Sequence, residues 1–100
     1  MTETEYWLGF HLVPGIGATR VARLLEHFGS LAAAWEANVE ELRAAGLSER
    51  VAAKLVATRR RISLEREMER VARAGVSLVT LADPDYPRLL REIPSPPLLL

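Results

Sequence analysis

Cysteine is absent from these 100 residues, and histidine occurs only twice. Without thiols there is no disulfide framework, and the chain fits a reducing compartment. His11 and His27 have no second ligand at metal-binding spacing, so they read as structural or surface histidines. No metal and no cofactor is expected. Net charge is also missing: Lys+Arg and Asp+Glu both total 13. That excludes a protein that coats a polyanion with its whole surface, but a local basic face remains compatible with it. No apolar run is long enough for a signal peptide or a membrane span, and the opening Met1-Thr2-Glu3-Thr4-Glu5 is acidic. The chain therefore reads as cytoplasmic, with no membrane partner. There is no Walker loop, and Gly15-Ile16-Gly17 lacks the third glycine and the preceding strand of a dinucleotide fingerprint. Glu65, Glu67 and Glu69 alternate with Arg66 and Arg70, which makes a salt-laced helix face rather than a carboxylate dyad. No catalytic residue is assigned, and the chain is not read as an enzyme.

What the sequence does contain is helix punctuation. Thr2-x-x-Glu5 has the form of a capping box, and the helix it opens carries Tyr6, Trp7 and Phe10, half of the six aromatics. Pro14 stops that helix, because its ring clashes with the preceding turn and it has no N–H. Gly15 and Gly17 supply a sharp reversal around Ile16, and a second helix succeeds it with Val21, Leu24, Leu25 and Phe28 on one face. Gly29 is placed to end it and Ser30 to cap the next, over 31–37. Asn38-x-x-Glu41 is another capping-box form, opening a helix over 39–45 that Gly46 closes.

Ser48 then caps a longer helix in which Leu47, Val51, Leu55 and Ile62 point one way and Arg50, Lys54 and Arg61 another. Ala45-Gly46-Leu47-Ser48 repeats the glycine–aliphatic–small pattern of Pro14-Gly15-Ile16-Gly17, which predicts a degenerate second hairpin related to the first by a pseudo-two-fold. A charged helix over 63–74 has Leu64, Met68, Val71 and Ala72 as a narrow apolar stripe; its separation from the preceding helix is open at this level. Beyond Gly75, residues 76–81 are β-branched and apolar on both faces, as in a buried strand, and an uncovered strand there should pair with 98–100 or with a neighbouring molecule. Asp83-Pro84-Asp85 is a turn, and a short helix over 87–92 should bury Leu89, Leu90 and Ile93. Leu98-Leu99-Leu100 reads as the start of another strand. A helix–strand–helix–strand run of this kind is the opening of an α/β sheet, which predicts a fragment of a longer chain.

Trp7-Leu8, then Leu12 to Gly17, then Leu24-Leu25-Glu26-His27-Phe28-Gly29-Ser30 resemble the N-terminal domain of the DNA-processing protein A (DprA, or Smf) family. Leu81-Ala82-Asp83-Pro84-Asp85-Tyr86-Pro87-Arg88-Leu89-Leu90-Arg91-Glu92-Ile93, followed by Pro96-Pro97, resembles that family's entry into its Rossmann-like domain. The resemblance implies a mainly α fold. Residues 1–61 would be a helix-hairpin-helix (SAM-like) bundle of about five helices. Residues 62–100 would be the N-terminal part of a truncated Rossmann-like domain. It also implies a parent protein of natural transformation that binds single-stranded DNA, mainly through the missing domain, helps load the RecA recombinase, and forms a homodimer at full length.

Within this chain, the hairpin is the candidate nucleic-acid site. Backbone N–H groups around Gly15, Ile16 and Gly17 would meet a phosphate, Thr19 would add a hydroxyl, and Arg20 would add charge. Arg50, Lys54 and Arg61 share one helix face and would track the backbone beside it. Arg43 and the Arg59-Arg60-Arg61 run add to this basic region. Against this stands a structural reading, in which the hairpin joins two packed helices and the domain docks a partner protein or its own Rossmann-like domain.

Overall fold

The computed structural model describes residues 3–75, 78–92 and 96–99, without the side chain of Leu89. Seven helices occur among these residues: α1 Glu3–His11, α2 Ala18–Phe28, α3 Leu31–Glu36, α4 Val39–Ala44, α5 Glu49–Arg61, α6 Leu64–Arg73 and α7 Arg88–Arg91. Most boundaries reflect local chemistry. Ser30, Ser48 and Ser63 accept from the backbone N–H groups of Ala33, Val51 and Arg66, which satisfies orphan donors at the starts of α3, α5 and α6. At α4 the capping box is complete: Glu41 N donates to Asn38 Oδ1 at 2.8 Å, and Asn38 N donates to Glu41 Oε1 at 3.1 Å. The expected Thr2 capping box lies outside the described residues. Glu3 instead reaches across to accept from Leu31 N at 3.3 Å, tying the first turn of α1 to the first turn of α3.

Ile62 is extended (φ −107°, ψ 154°) and Ser63 caps α6, so α5 and α6 are separate helices. α3 packs against both α1 and α2, α4 against α5, and α6 against α1. The core they enclose includes Trp7, Phe10, Val13, Ile16, Val21, Leu24, Leu31, Trp35, Leu42, Leu47 and Leu55. Phe10 and Trp35 meet edge to face, with ring centroids 5.1 Å apart. Thus the aromatics of α1 do anchor the core. Not every expected core position is buried: Val51 and Ile62 are only half-buried, as are Met68 and Val71 on α6, while Ala72 is exposed.

The two glycine turns are near-copies. Gly15 and Gly46 both have positive φ (88° and 108°), the conformation that L side chains resist. In order and spacing, Gly15, Ile16, Gly17, Val21 and Leu24 correspond to Gly46, Leu47, Ser48, Ala52 and Leu55. Ile16 and Leu47 are buried plugs, and Val21, Leu24, Ala52 and Leu55 are at most 1% exposed. Contacts between the copies are reciprocal. A Cβ on Gly15 would lie 3.7 Å from Val51 on α5, and one on Gly46 would lie 3.7 Å from Arg23 on α2. Each turn abuts the helix that succeeds the other.

The helix–strand–helix–strand opening is not seen. Among the described residues there is no strand, only one antiparallel bridge between Thr80 and Leu99, with Leu81 N donating to Leu98 O at 2.8 Å. A strand needs a run of inter-strand bonds, and a β-branched stretch without a full partner cannot make them. Val76, Ser77 and Leu100 of the expected strands lie outside the described residues, as do Ile93 and the Leu89 side chain. The bridge holds residues 96–99 beside 78–81. Leu98, 3% exposed, joins the helical core, and Leu64 joins it from α6. α7 is a single turn after a buried Tyr86, whose hydroxyl donates to Pro97 O at 2.7 Å. Arg91 lies over the Tyr86 ring and donates to Asp83 O at 2.7 Å, while Asp83 Oδ2 accepts from Thr80 N at 2.8 Å. The Asp83-to-Pro87 block is therefore a clasp on the 96–99 segment.

Candidate nucleic-acid interface

α2 begins without a side-chain cap. Its N-cap is Gly17 in extended backbone (φ −117°, ψ −166°), which has no side-chain oxygen to offer the N–H groups of the first turn. The starts of α3, α4, α5 and α6 are all capped by Ser or Asn. Donors left open at the first turn of an eleven-residue helix carry the positive end of its dipole. Thr19 and Arg20 flank them and are exposed, as are Gly15 and Gly17. Ile16 is not available: at 7% exposure its side chain plugs the core beneath the turn, and its N–H, expected to meet a phosphate, donates to Val13 O at 3.4 Å.

Charge around the turn is unpaired. The ion pairs among the described residues are Glu67–Arg70, Glu69–Arg73 and Arg88–Glu92, all on α6 or α7. None engages Arg20, Arg23, Arg50, Lys54 or Arg61. At about 100° per residue, Arg20, Arg23 and His27 fall within about 60° of one another on α2, on the flank that Arg23 turns toward Gly46. On α5, Lys54 lies about 60° round the helix from Val51, the residue facing Gly15, with Arg50 and Arg61 about 80–100° from it on the same side. Arg50 and Arg61 are exposed and Lys54 is half-buried. The first turn thus sits beside the basic side of α5.

The run of three arginines does not act as one. Arg59 points inward, and its Nη1 donates to Trp35 O and, at 2.8 Å, to Ala37 O. It closes the C-terminal end of α3, where carbonyls lack helical partners. By sequence alone, Arg59 reads as part of a basic region. The only hint otherwise is its position three residues beyond Val56 and four beyond Leu55, near the apolar side of α5.

A small cleft of about 170 Å³ opens at the uncapped turn, lined by Gly17, Ala18, Thr19, Arg20 and Pro96. The role of Pro96 is not legible locally, since it depends on how a distant segment folds back. A larger cleft of about 470 Å³ lies elsewhere, where Tyr6 and Trp35 meet the α5–α6 junction. Its guanidinium, Arg59, is already bonded to carbonyls, and Glu36 and Glu65 at its rim would repel an anion. Among the described residues no group of His, Asp and Glu could hold a metal ion. No helix among them is long and apolar enough to cross a membrane.

The family model of the SMF/DprA SAM domain matches residues 1–61. The chain belongs to the SMF/DprA family. "Protein Smf" of Synechocystis sp. (strain ATCC 27184 / PCC 6803 / Kazusa) is 36% identical over 100 residues, covering 99% of this chain and 25% of the relative. The chain thus spans about a quarter of that relative's length. No solved structure matches it. In this SMF/DprA SAM domain, the matched segment ends where α5 ends, so both glycine turns and the basic side of α5 lie within it.

Proposed function

We propose that this domain is a non-catalytic accessory module that holds a nucleic-acid backbone without reading its sequence. The contact centres on the first glycine turn. The observation that carries this reading is the uncapped start of α2 with exposed, unpaired Thr19 and Arg20 beside it. Main-chain N–H groups of Gly17, Ala18 and Thr19 are suited to phosphate oxygens, and Gly15 lets the chain turn tightly enough to present them. Arg50, Lys54 and Arg61 extend the positive surface along α5. In this reading residues 1–61 are the helical module. Residues 62–100 lead into a Rossmann-like domain, supported by the resemblance of the Tyr86-Pro87 block. For the full-length protein, the family supports binding of single-stranded DNA in natural transformation, loading of RecA recombinase, homodimer formation and action in the cytoplasm.

The test is a titration of this chain with labelled single- and double-stranded DNA at low salt. Binding should weaken as salt rises, by a slope of about one per phosphate neutralised. Arg20→Glu and Gly17→Pro should each weaken it at least tenfold. Absence of binding at low salt by the wild-type chain would overturn the reading.

A second reading has one observation in its favour. Pro96 already lines one cleft with Gly17 to Arg20, and Leu98 is in the helical core. The turn would then serve as a docking surface for protein, beginning with the chain's own extension. Wild-type stability that falls on Pro96→Gly, with no DNA binding, would support it.

A further inference from the structure

We infer that residues 96–99 form a strap that restricts the uncapped start of α2, so that backbone binding there requires the strap to give way. The inference rests on the phosphate-binding reading above and adds its regulation. Pro96 is the one lining residue of the 170 Å³ cleft that comes from outside the first glycine turn and α2. A liquid water occupies about 30 Å³, so the cleft has room for a phosphate group and a few waters. It is smaller than the roughly 300–1,000 Å³ of pockets that enclose a drug-sized ligand, and Pro96 is the wall that the sugars flanking a bound phosphate would have to clear. Proline also has no N–H to offer an anion, so Pro96 shields the turn's donors and adds none of its own.

The strap is held from both sides. Leu98 is buried among the helices, and Leu81 N donates to its carbonyl. Thr80 bridges Leu99, and the Tyr86 hydroxyl grips Pro97 O. None of these fastenings belongs to the glycine turn. The Tyr86-Pro87 block therefore controls access to a surface that is distant from it in sequence. Whatever pulls residues 78–92 away from 96–99 would open the turn, and a bound strand would in return loosen the strap, since linked equilibria are reciprocal.

The experiment measures binding of a fluorescein-labelled oligothymidylate by anisotropy at low salt. The wild-type chain is compared with Tyr86→Phe, which removes only the hydroxyl, and with Pro96→Gly, which removes the wall. Both variants should bind about threefold to tenfold tighter than wild type, roughly the effect of releasing one hydrogen bond. Arg20→Glu added to either should abolish the gain. Unchanged or weaker binding by both variants, with wild type binding, overturns the strap and leaves the phosphate reading standing. Binding by none of the three overturns both. Amide exchange on the wild-type chain supplies an independent readout: protection of Leu81 N–H should fall when the oligonucleotide is added. Undiminished protection at saturation overturns the strap as well.

Discussion

Gly9 sits in the middle of α1 with the Trp35 indole against it. A Cβ there would lie 2.8 Å from Trp35 Cη2 and 2.9 Å from Leu64 Cδ2, closer than such atoms approach. Alanine normally improves a helix interior by about 1 kcal/mol over glycine. Here overpacking costs about 1–3 kcal/mol and outweighs it, because the obstacle is a rigid ring. Gly9→Ala should lower the melting temperature by several degrees, at about 4–8 °C per kcal/mol for a domain of this size. A rise in a thermal scan would show that Trp35 can shift. In sequence, Gly9 reads only as a weak spot in a helix, since nothing local says that an indole arrives from α3. Arg59 hides in the same way: its charge suggests a ligand, and its partners are carbonyls more than twenty residues earlier.

At the scale of elements, caps and stops were the most readable features. Ser30, Asn38 and Ser48 each cap the helix they precede, because a cap is satisfied within three residues and needs no tertiary partner, whereas Ser63, read as the first residue of its helix, is the cap of α6. From α2 to α6, only α2 starts without a side-chain cap, and the difference is testable. Nothing lies within 4 Å of a Cβ at Gly17, and its extended backbone suits any residue. Gly17→Ser should therefore stabilise the domain by a few tenths of a kcal/mol. Its hydroxyl would take a donor that the phosphate reading needs, so DNA affinity should fall while urea stability rises. Equal or tighter binding would place the contact elsewhere. The β-branched run at 76–81 was the least readable element. Its pattern fits a buried strand, but strand identity lies in bonds to another segment, and of these the described residues make one bridge.

For the whole molecule, the reciprocal packing of the two glycine turns gives the domain its shape. Each turn lies on the other's helix, and α3 packs on α1 and α2, the helices that flank the first turn. Arg59 fastens the end of α3 to α5 across the middle of the chain. Arg59→Met keeps the aliphatic stem and removes a charge-assisted donor, so it should cost about 1.5–3 kcal/mol in urea unfolding. The salt slope of DNA binding should stay unchanged, because this guanidinium faces inward. A slope that falls by about one instead would return Arg59 to the nucleic-acid surface.

The sequence by itself determined the helices, most of their caps and the two glycine turns, because these depend on residues within a turn or two of each other, and the family, because its local motifs recur in order along the chain. Tertiary structure decided which charges are free, which glycine is crowded, and that a proline from the far end of the chain stands over the start of α2. Those outcomes depend on contacts between segments distant in sequence, and local spacing carries no record of them.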